Sequence, residues 1–337
     1  MRRRRWLAPP DQPAAVYHCV SRVVDRRFVF GEAEKHVFQR LMLELAEFCQ
    51  VRILTYCLMS NHFHILVEVP RPPDPRPSAE QTLEALARLG GAGDATRLHR
   101  HLDALRGSGD PNAEARWLAG VHARRWNLSR FLQALKQRFS RAYNLRMGRK
   151  GTLWEERFRS VLVQGEGRAL VTMAAYIDLN PVRAGLVEDP KEYRWSGYAA
   201  AVAGVDGARA GVERIVRTLE RRPGEVEAEP ALGSYRSHLF VEGNRGVQGP
   251  GDRGIGREAM LEVLAKKGRL TSAEYLRCRV RYFSDGAVLG SRDYVEGEFR
   301  RSRDRFGPKR RSGAREMKGL DEGGLYTVRA LRVGVFG

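Results

Sequence analysis

The chain predicts an α+β fold, a small antiparallel sheet with helices packed on one face. Three observations carry that expectation. Short β-rich stretches alternate with segments of helical periodicity in the order β-α-β-β-α-β-α. The two middle strands are separated only by a Met-Ser-Asn turn, for which a hairpin is the simplest connection. The length, 337 residues, suffices for one full core and part of a second.

The elements follow in order. Residues 15–24, AVYHCVSRVV, read as a strand. Residues 32–50 carry Val37, Leu41, Leu45 and Phe48 at helical spacing. Residues 51–59 form a second strand and 62–69 a third. Five prolines within residues 70–77 break regular structure. An Ala/Leu/Arg-rich helical insertion then runs to about residue 112 on a tether. A long, interrupted helix is expected over 113–147, with Trp126, Phe131, Leu135 and Phe139 buried; the GRKG of 148–151 ends it. Residues 157–164 form a fourth strand and 166–179 a helix stopped by Pro181. The core domain is expected at 1–204, with its insertion at about 70–112. A Gly/Arg/Glu-rich linker follows at 205–254. A basic, mainly helical extension occupies 255–337, read from Met260, Leu261, Val263, Leu264, Tyr275 and Leu276. No internal repeat is visible.

Charge narrows the partners. Lys and Arg total 59 against 40 Asp and Glu, a formal net charge of +19. Arg dominates, and its planar fork binds phosphate bidentately. A polyanion, nucleic acid before membrane, is the expected partner, with a merely soluble basic surface as the bland alternative. Cys19, Cys49, Cys57 and Cys278 show no CxxC spacing, which argues against a zinc ribbon or a disulfide framework and suits a reducing cytoplasm. No apolar run reaches the ~20 residues of a membrane span. MRRRRW leads into APPDQP rather than an apolar signal core. A cytoplasmic, nucleoid-associated protein is expected.

His62-Phe63-His64 is the sharpest chemical feature. Alternate side chains of a strand share a face, so both imidazoles point one way and Phe63 the other. Such a pair can converge on one divalent cation when an oxygen ligand joins it. A pair of ordinary strand histidines explains a bare HxH equally well. A histidine-triad hydrolase would need a third His where Leu66 stands. Neither paired His-x-Thr/Ser motifs nor HExxH occurs, which sets aside two-histidine phosphodiesterases and the common zinc hydrolases. The second feature is Tyr176-Ile-Asp-Leu-Asn180-Pro181. Tyr176 and Asn180 are one helical turn apart on one face, and Pro181 leaves Asn180 near a terminus. Taken alone, a tyrosine on such a helix reads as a core residue, and only its combination with the histidine pair favours chemistry.

Taken together, MSNHFHILVEV, GTLWEERFRS, YIDLNPVRAGL and YRWSGY closely resemble the IS200-like transposase superfamily, specifically the REP-associated tyrosine transposases, across roughly residues 10–200. The resemblance implies a ferredoxin-like HUH endonuclease fold that cleaves and rejoins single-stranded DNA. It implies His62 and His64 as metal ligands and Tyr176 as catalytic nucleophile. Asn180 stands where better-characterised relatives carry a Gln ligand; the amide oxygen is kept on an arm one methylene shorter. Mg²⁺ or Mn²⁺ is the implied cofactor, and single-stranded or hairpin DNA the partner of a monomer or homodimer. Attack by the tyrosine would leave a 5′-phosphotyrosine and a free 3′-hydroxyl, retaining the bond energy for rejoining. A phenol is almost wholly protonated near pH 7, so a metal or base must assist.

Arg138, Arg141, Arg146, Arg149 and Lys150, with Arg157 and Arg159 on the next strand, suit phosphate contacts along single-stranded or hairpin DNA; a solvated basic face is the alternative. Tyr143 and Tyr193 are rival nucleophiles, expected to be structural or DNA-contacting. Trp154 is expected in the core. GRKG lacks the full pattern of a phosphate-binding loop. Residues 300–318 carry nine Lys and Arg and are expected to grip a duplex or stem. Beside the transposase stands a second reading, a non-cutting regulator of the same descent that binds repeat DNA. A third, a rolling-circle or conjugation nuclease, lacks the YIDLNPVRAGL sequence.

Overall fold

In the computed structural model, residues 5–9, 11–90, 92–217, 228–243, 280–317 and 324–329 are described. The central strand is β1 (Ala14–Arg22), whose residues from Val16 to Ser21 are buried on both faces. After it, α1 (Glu32–Cys49) leads to β2 (Arg52–Leu58), and a tight turn to β3 (His62–Pro70). α5 (Leu128–Arg146) then precedes β4 (Arg159–Val163). β1 pairs antiparallel with both β3 and β4, and β2 pairs antiparallel with β3, which is the expected hairpin. The resulting order, β2-β3-β1-β4, with one helix after β1 and one before β4, is the ferredoxin-like arrangement. The α+β class is as the sequence predicted.

Helices cover both faces of the sheet, not one. Phe63 points toward α1 and α5, where Phe30, Phe38, Phe139 and Trp154 meet it in an aromatic cluster. His64, its neighbour on β3, points instead to α6 (Gly167–Asp178). The expectation of a single covered face failed because β3 is buried on both sides from Phe63 to Val67, a run whose periodicity does not count the layers around it. Trp154 is a core residue; its Nε1 donates to Ser140 Oγ at 2.8 Å and to the Lys136 carbonyl.

Between β3 and α5 lie α2 (Ala79–Gly90), α3 (Ala92–Arg106) and α4 (Ala113–His122). Ala79, Leu83 and Leu102 form a small core of their own there. The expected interruption of the 113–147 helix falls just before Asn127, whose side chain accepts from the Ser129 and Arg130 amides and starts α5 afresh. Trp126, at φ +50°, makes the corner.

After α6 come α7 (Asn180–Arg183), α8 (Gly197–Val202), α9 (Asp206–Val216) and α10 (Ala228–Gly243). α9 crosses β2 at Gly211, where an added Cβ would lie 2.3 Å from the Leu54 carbonyl oxygen. Gly211→Ala should therefore push α9 off the sheet and cost about 1–3 kcal/mol. The check is a lower urea midpoint with an unchanged slope.

The C-terminal part contains α11 (Val280–Asp285), β5 (Val288–Gly290), α12 (Arg292–Arg301), β6 (Arg315–Glu316) and β7 (Tyr326–Thr327). β5 pairs parallel with β4, and β7 and β6 continue outward, giving a seven-stranded sheet. The extension was expected to be mainly helical; its described part holds two helices, and its short strands also widen the sheet of the core domain. Strands of two or three residues carry no readable alternation, and the helical pattern of 260–276 lies outside the described residues. The basic run of the extension is largely committed to its own backbone. Arg303 donates to the Phe306, Gly307 and Pro308 carbonyls, and Arg310 to those of Ser312, Gly313 and Val328. Arg305 lies over Trp6. Arg303 and Arg310 thus staple the extension together and Arg305 ties it to the N-terminal arm, while Arg300, Lys309 and Arg311 remain exposed.

Candidate active site

The site forms where β1, β3 and α6 meet. Register pairs Val20 with His64 and Leu66 with His18, so His18 and His64 are diagonal neighbours on one face. His62 lies two residues before His64 on that face, its ring centroid 5.0 Å away. α6 crosses the same face, buried along its whole length after its first two residues. It sets the Tyr176 ring edge-on to both His18 and His64, at 5.8 Å from each. The structure thus brings the predicted histidine pair and the predicted tyrosine together.

Tyr176 is closed over. It is 1% exposed, with the Phe283 ring of α11 stacked on it at 4.4 Å and the Arg183 guanidinium 4.2 Å above its ring. Its hydroxyl is buried and has no hydrogen-bond partner among the described residues. A buried, unpartnered hydroxyl costs stability, and such a group calls for an explanation outside folding.

Asn180 begins the short turn after α6. Its Nδ2 donates to the Tyr176 and Ile177 carbonyls at 3.0 and 3.1 Å, and its Oδ1 accepts from Arg183. The amide is therefore engaged within its own helical turn, its oxygen facing a cation. Asp178, between Tyr176 and Asn180, is wholly buried and accepts from Thr55 Oγ1 and the Tyr235 hydroxyl, each at 2.6 Å. Burial pushes its carboxyl up to about 7 despite those donors. The folded state thus holds a proton that the unfolded chain releases near pH 4, so stability should fall as pH rises from about 4 to 7 and then level off. Asp178→Asn should flatten that slope, which amounts to roughly 4 kcal/mol over the whole range, in urea titrations run across those pH values.

The hydrogen bonds around the histidines define their free nitrogens. Asn61 Nδ2 donates to the Arg26 carbonyl, which fixes its amide so that Oδ1 accepts from His62 Nδ1 at 2.7 Å. His62 Nε2 then carries its lone pair outward. His64 Nδ1 lies 2.9 Å from His18 Nε2. Burial, with Arg22 and Arg183 nearby, drops His62 to about 3; burial with His62, His18 and the same arginines holds His64 well below the usual imidazole range. Burial likewise lowers His18 to about 4, its bond to the Phe283 carbonyl opposing the shift. All three rings are neutral near pH 7, the form in which imidazole ligates a metal. Two neutral imidazoles on one strand face form a donor pair suited to Mg²⁺ or Mn²⁺ when oxygen ligands complete the shell. Among the described residues no group of three or more His, Cys, Asp or Glu is arranged to hold a metal ion, so further ligands to a metal on His62 and His64 would come from amide, substrate or water oxygens.

Of the predicted DNA-contacting residues, Arg138, Arg141 and Arg146 lie on α5, Arg149, Lys150 and Arg157 on the loop that follows, and Arg159 at the start of β4. Arg138, Arg141, Lys150 and Arg157 are exposed there. Arg146 pairs with Glu34, and Arg159 with Glu156 and Asp285. Arg149 donates to the Thr152 carbonyl. The rival nucleophile Tyr193 is buried, donating to the Leu58 carbonyl and accepting from Lys35 Nζ. Tyr143 is half-buried and packs on Phe139.

Sequence reasoning missed His18, Asn61, Arg183 and Phe283. Arg183 was within reach of pattern, seven residues after Tyr176 and so on the same helical face. His18 needed the β1–β3 register, and Phe283 is more than a hundred residues from Tyr176 in sequence.

Residues 12–81 match the family model described as Transposase IS200 like. That segment spans β1 to the start of α2 and includes His18, His62 and His64. Among solved structures, the chain is similar to one described as a REP-associated tyrosine transposase bound to a REP hairpin. The identity is 14% and the TM-score 0.36, over 60% of this chain and 86% of that one. No curated protein matches the chain. Among the described residues no helix is long and apolar enough to cross a membrane.

Proposed function

We propose that this chain, which carries an IS200-like transposase segment at residues 12–81, is a tyrosine transposase of the REP-associated type that cuts and rejoins single-stranded DNA. The observation that carries this reading is the convergence of Tyr176 on the His62–His64 face, with its hydroxyl buried and unpartnered. The substrate is single-stranded or hairpin DNA, held along the backbone by Arg138, Arg141, Arg149, Lys150 and Arg157, with Arg146 and Arg159 turning to it from their carboxylates.

The chemistry follows from the charges. A phosphodiester repels nucleophiles because its non-bridging oxygens are anionic. A divalent Mg²⁺ or Mn²⁺ held by His62 and His64 would neutralise one of those oxygens. Asn180 is the proposed oxygen ligand, a role that requires its Oδ1 to exchange Arg183 for the metal. Arg183, released, offers its fork to the phosphate. Tyr176 Oη attacks phosphorus and loses its proton, the 3′-oxygen leaves and gains one, and the 5′-phosphate stays on the tyrosine. A second 3′-hydroxyl reverses the exchange and joins a new strand without an external energy source. DNA reaches Tyr176 only after Phe283 and Arg183 yield their places over its ring.

That closure is the specific observation favouring a second reading, a repeat-DNA binder that does not cut. One experiment separates the two. Hairpin DNA labelled at its 3′ or 5′ end is incubated with the protein and Mn²⁺ and run on a denaturing gel for covalent adducts and on a native gel for bound complexes. The transposase forms a covalent adduct carrying the 3′ label, lost in His62→Ala and His64→Ala variants that still bind the hairpin. Retarded DNA with no adduct under any condition supports the binder.

A further inference from the structure

We infer that His18 is a positioning residue that fixes the tautomer of His64, and that the C-terminal extension completes this device. The inference rests on the proposed metal-binding role of the His62–His64 pair.

The Phe283 carbonyl oxygen can only accept, and it lies 2.9 Å from His18 Nδ1. His18 Nδ1 therefore carries a hydrogen. A fully buried ring, 0% exposed, is held neutral by the cost of desolvating a charge, so its Nε2 bears a lone pair. That lone pair faces His64 Nδ1 at 2.9 Å, so His64 Nδ1 is the donor. His64 Nε2 is left as the lone-pair nitrogen. The two rings are nearly parallel, 10° apart, with centroids 5.1 Å apart, which fits a bond lying in the plane of both rings. The chain of donors thus runs from His64 through His18 to α11, and each link allows one tautomer only. A ligating histidine whose other nitrogen is fixed in this way is oriented and made more basic.

Among the described residues His18 is the hydrogen-bond partner of His64 Nδ1. His62 has a separate anchor in Asn61, so the two ligands are oriented from opposite ends of the fold, His62 by the loop before β3 and His64 by the C-terminal extension. Without His18, His64 Nδ1 loses the acceptor it has in the structure, and the ring is free to carry its hydrogen on the other nitrogen instead.

The test compares the full-length protein with His18→Leu and His18→Gln, the latter keeping an acceptor and a donor on one side chain. Mn²⁺ binding is measured by EPR titration without DNA. Histidine-selective ¹⁵N spectra of the metal-free proteins read the His64 tautomer, and hairpin binding in EDTA controls for folding. His18→Leu should weaken Mn²⁺ binding by about 10–100-fold, convert His64 to a tautomer mixture and leave hairpin binding in EDTA unchanged. His18→Gln should recover a large part of the affinity. Mn²⁺ affinity within twofold of wild type in His18→Leu, or an unchanged His64 spectrum, overturns the inference while leaving the metal reading intact. A wild-type protein that binds no Mn²⁺, or binds it undiminished in His64→Ala, overturns both. Loss of hairpin binding together with metal binding in both His18 variants shows a merely structural residue and overturns the inference alone.

Discussion

Tyr176→Phe is expected to abolish the covalent DNA adduct and to leave the protein as stable as wild type, or more so by up to about 1–2 kcal/mol. The two effects have one origin. The hydroxyl is buried with no hydrogen-bond partner among the described residues, so in the folded state it has lost water and gained nothing. Removing it relieves that cost and keeps the ring's contacts with Phe283, His18, His64 and Arg183. It also removes the only atom of the side chain that can bond to phosphorus, so cleavage should fall to background. Most core tyrosines behave in the opposite way, because their hydroxyl is satisfied and its loss destabilises. Urea denaturation beside the adduct gel tests the pair of effects. A destabilised variant, or one that still forms adducts, would place the tyrosine in the structural class.

The second large effect concerns the cover. Phe283→Ala removes a fully buried ring and should cost about 3–5 kcal/mol. Phe283→Leu should cost less while still opening the stack on Tyr176. If Phe283 must leave Tyr176 before DNA can enter, both variants should raise the initial rate of adduct formation. A tenfold rise corresponds to about 1.4 kcal/mol of closure removed. The rates are compared at a temperature where both variants are folded by circular dichroism. An initial rate unchanged or lowered in both variants would mean that the ring serves the reactive geometry instead of blocking it.

How far the sequence reached is clearest at particular residues. The β-α-β-β-α-β order was legible because each strand of the core domain is long enough to show itself and each break has a chemical mark, from the Met-Ser-Asn turn to Pro181. His62 and His64 were legible because two residues of a strand share a face whatever the strand pairs with. Tyr176 and Asn180 were legible as a pair on one helix face. What the pair does was not, since the Asn180 oxygen faces Arg183, a partner that only the local backbone path selects. Helices on both faces were illegible because a strand buried on both sides reads as one apolar run. His18 stood in plain view in AVYHCV, yet its meaning depended on β1 lying beside β3 in one register. The extension was least legible. Its strands are too short for periodicity, and Arg303 and Arg310, counted as free charge, are bound to carbonyls of their own chain.

The central claim is that Tyr176 becomes joined to a 5′-phosphate. Its most direct test is mass spectrometry of the protein trapped with hairpin DNA and Mn²⁺, digested with nuclease and protease. The account predicts a phosphonucleotide mass on the peptide containing Tyr176, linked through the 5′-phosphate, and on no other. A modification on Tyr143 or Tyr193, a linkage through the 3′-phosphate, or intact DNA with every tyrosine unmodified would contradict it.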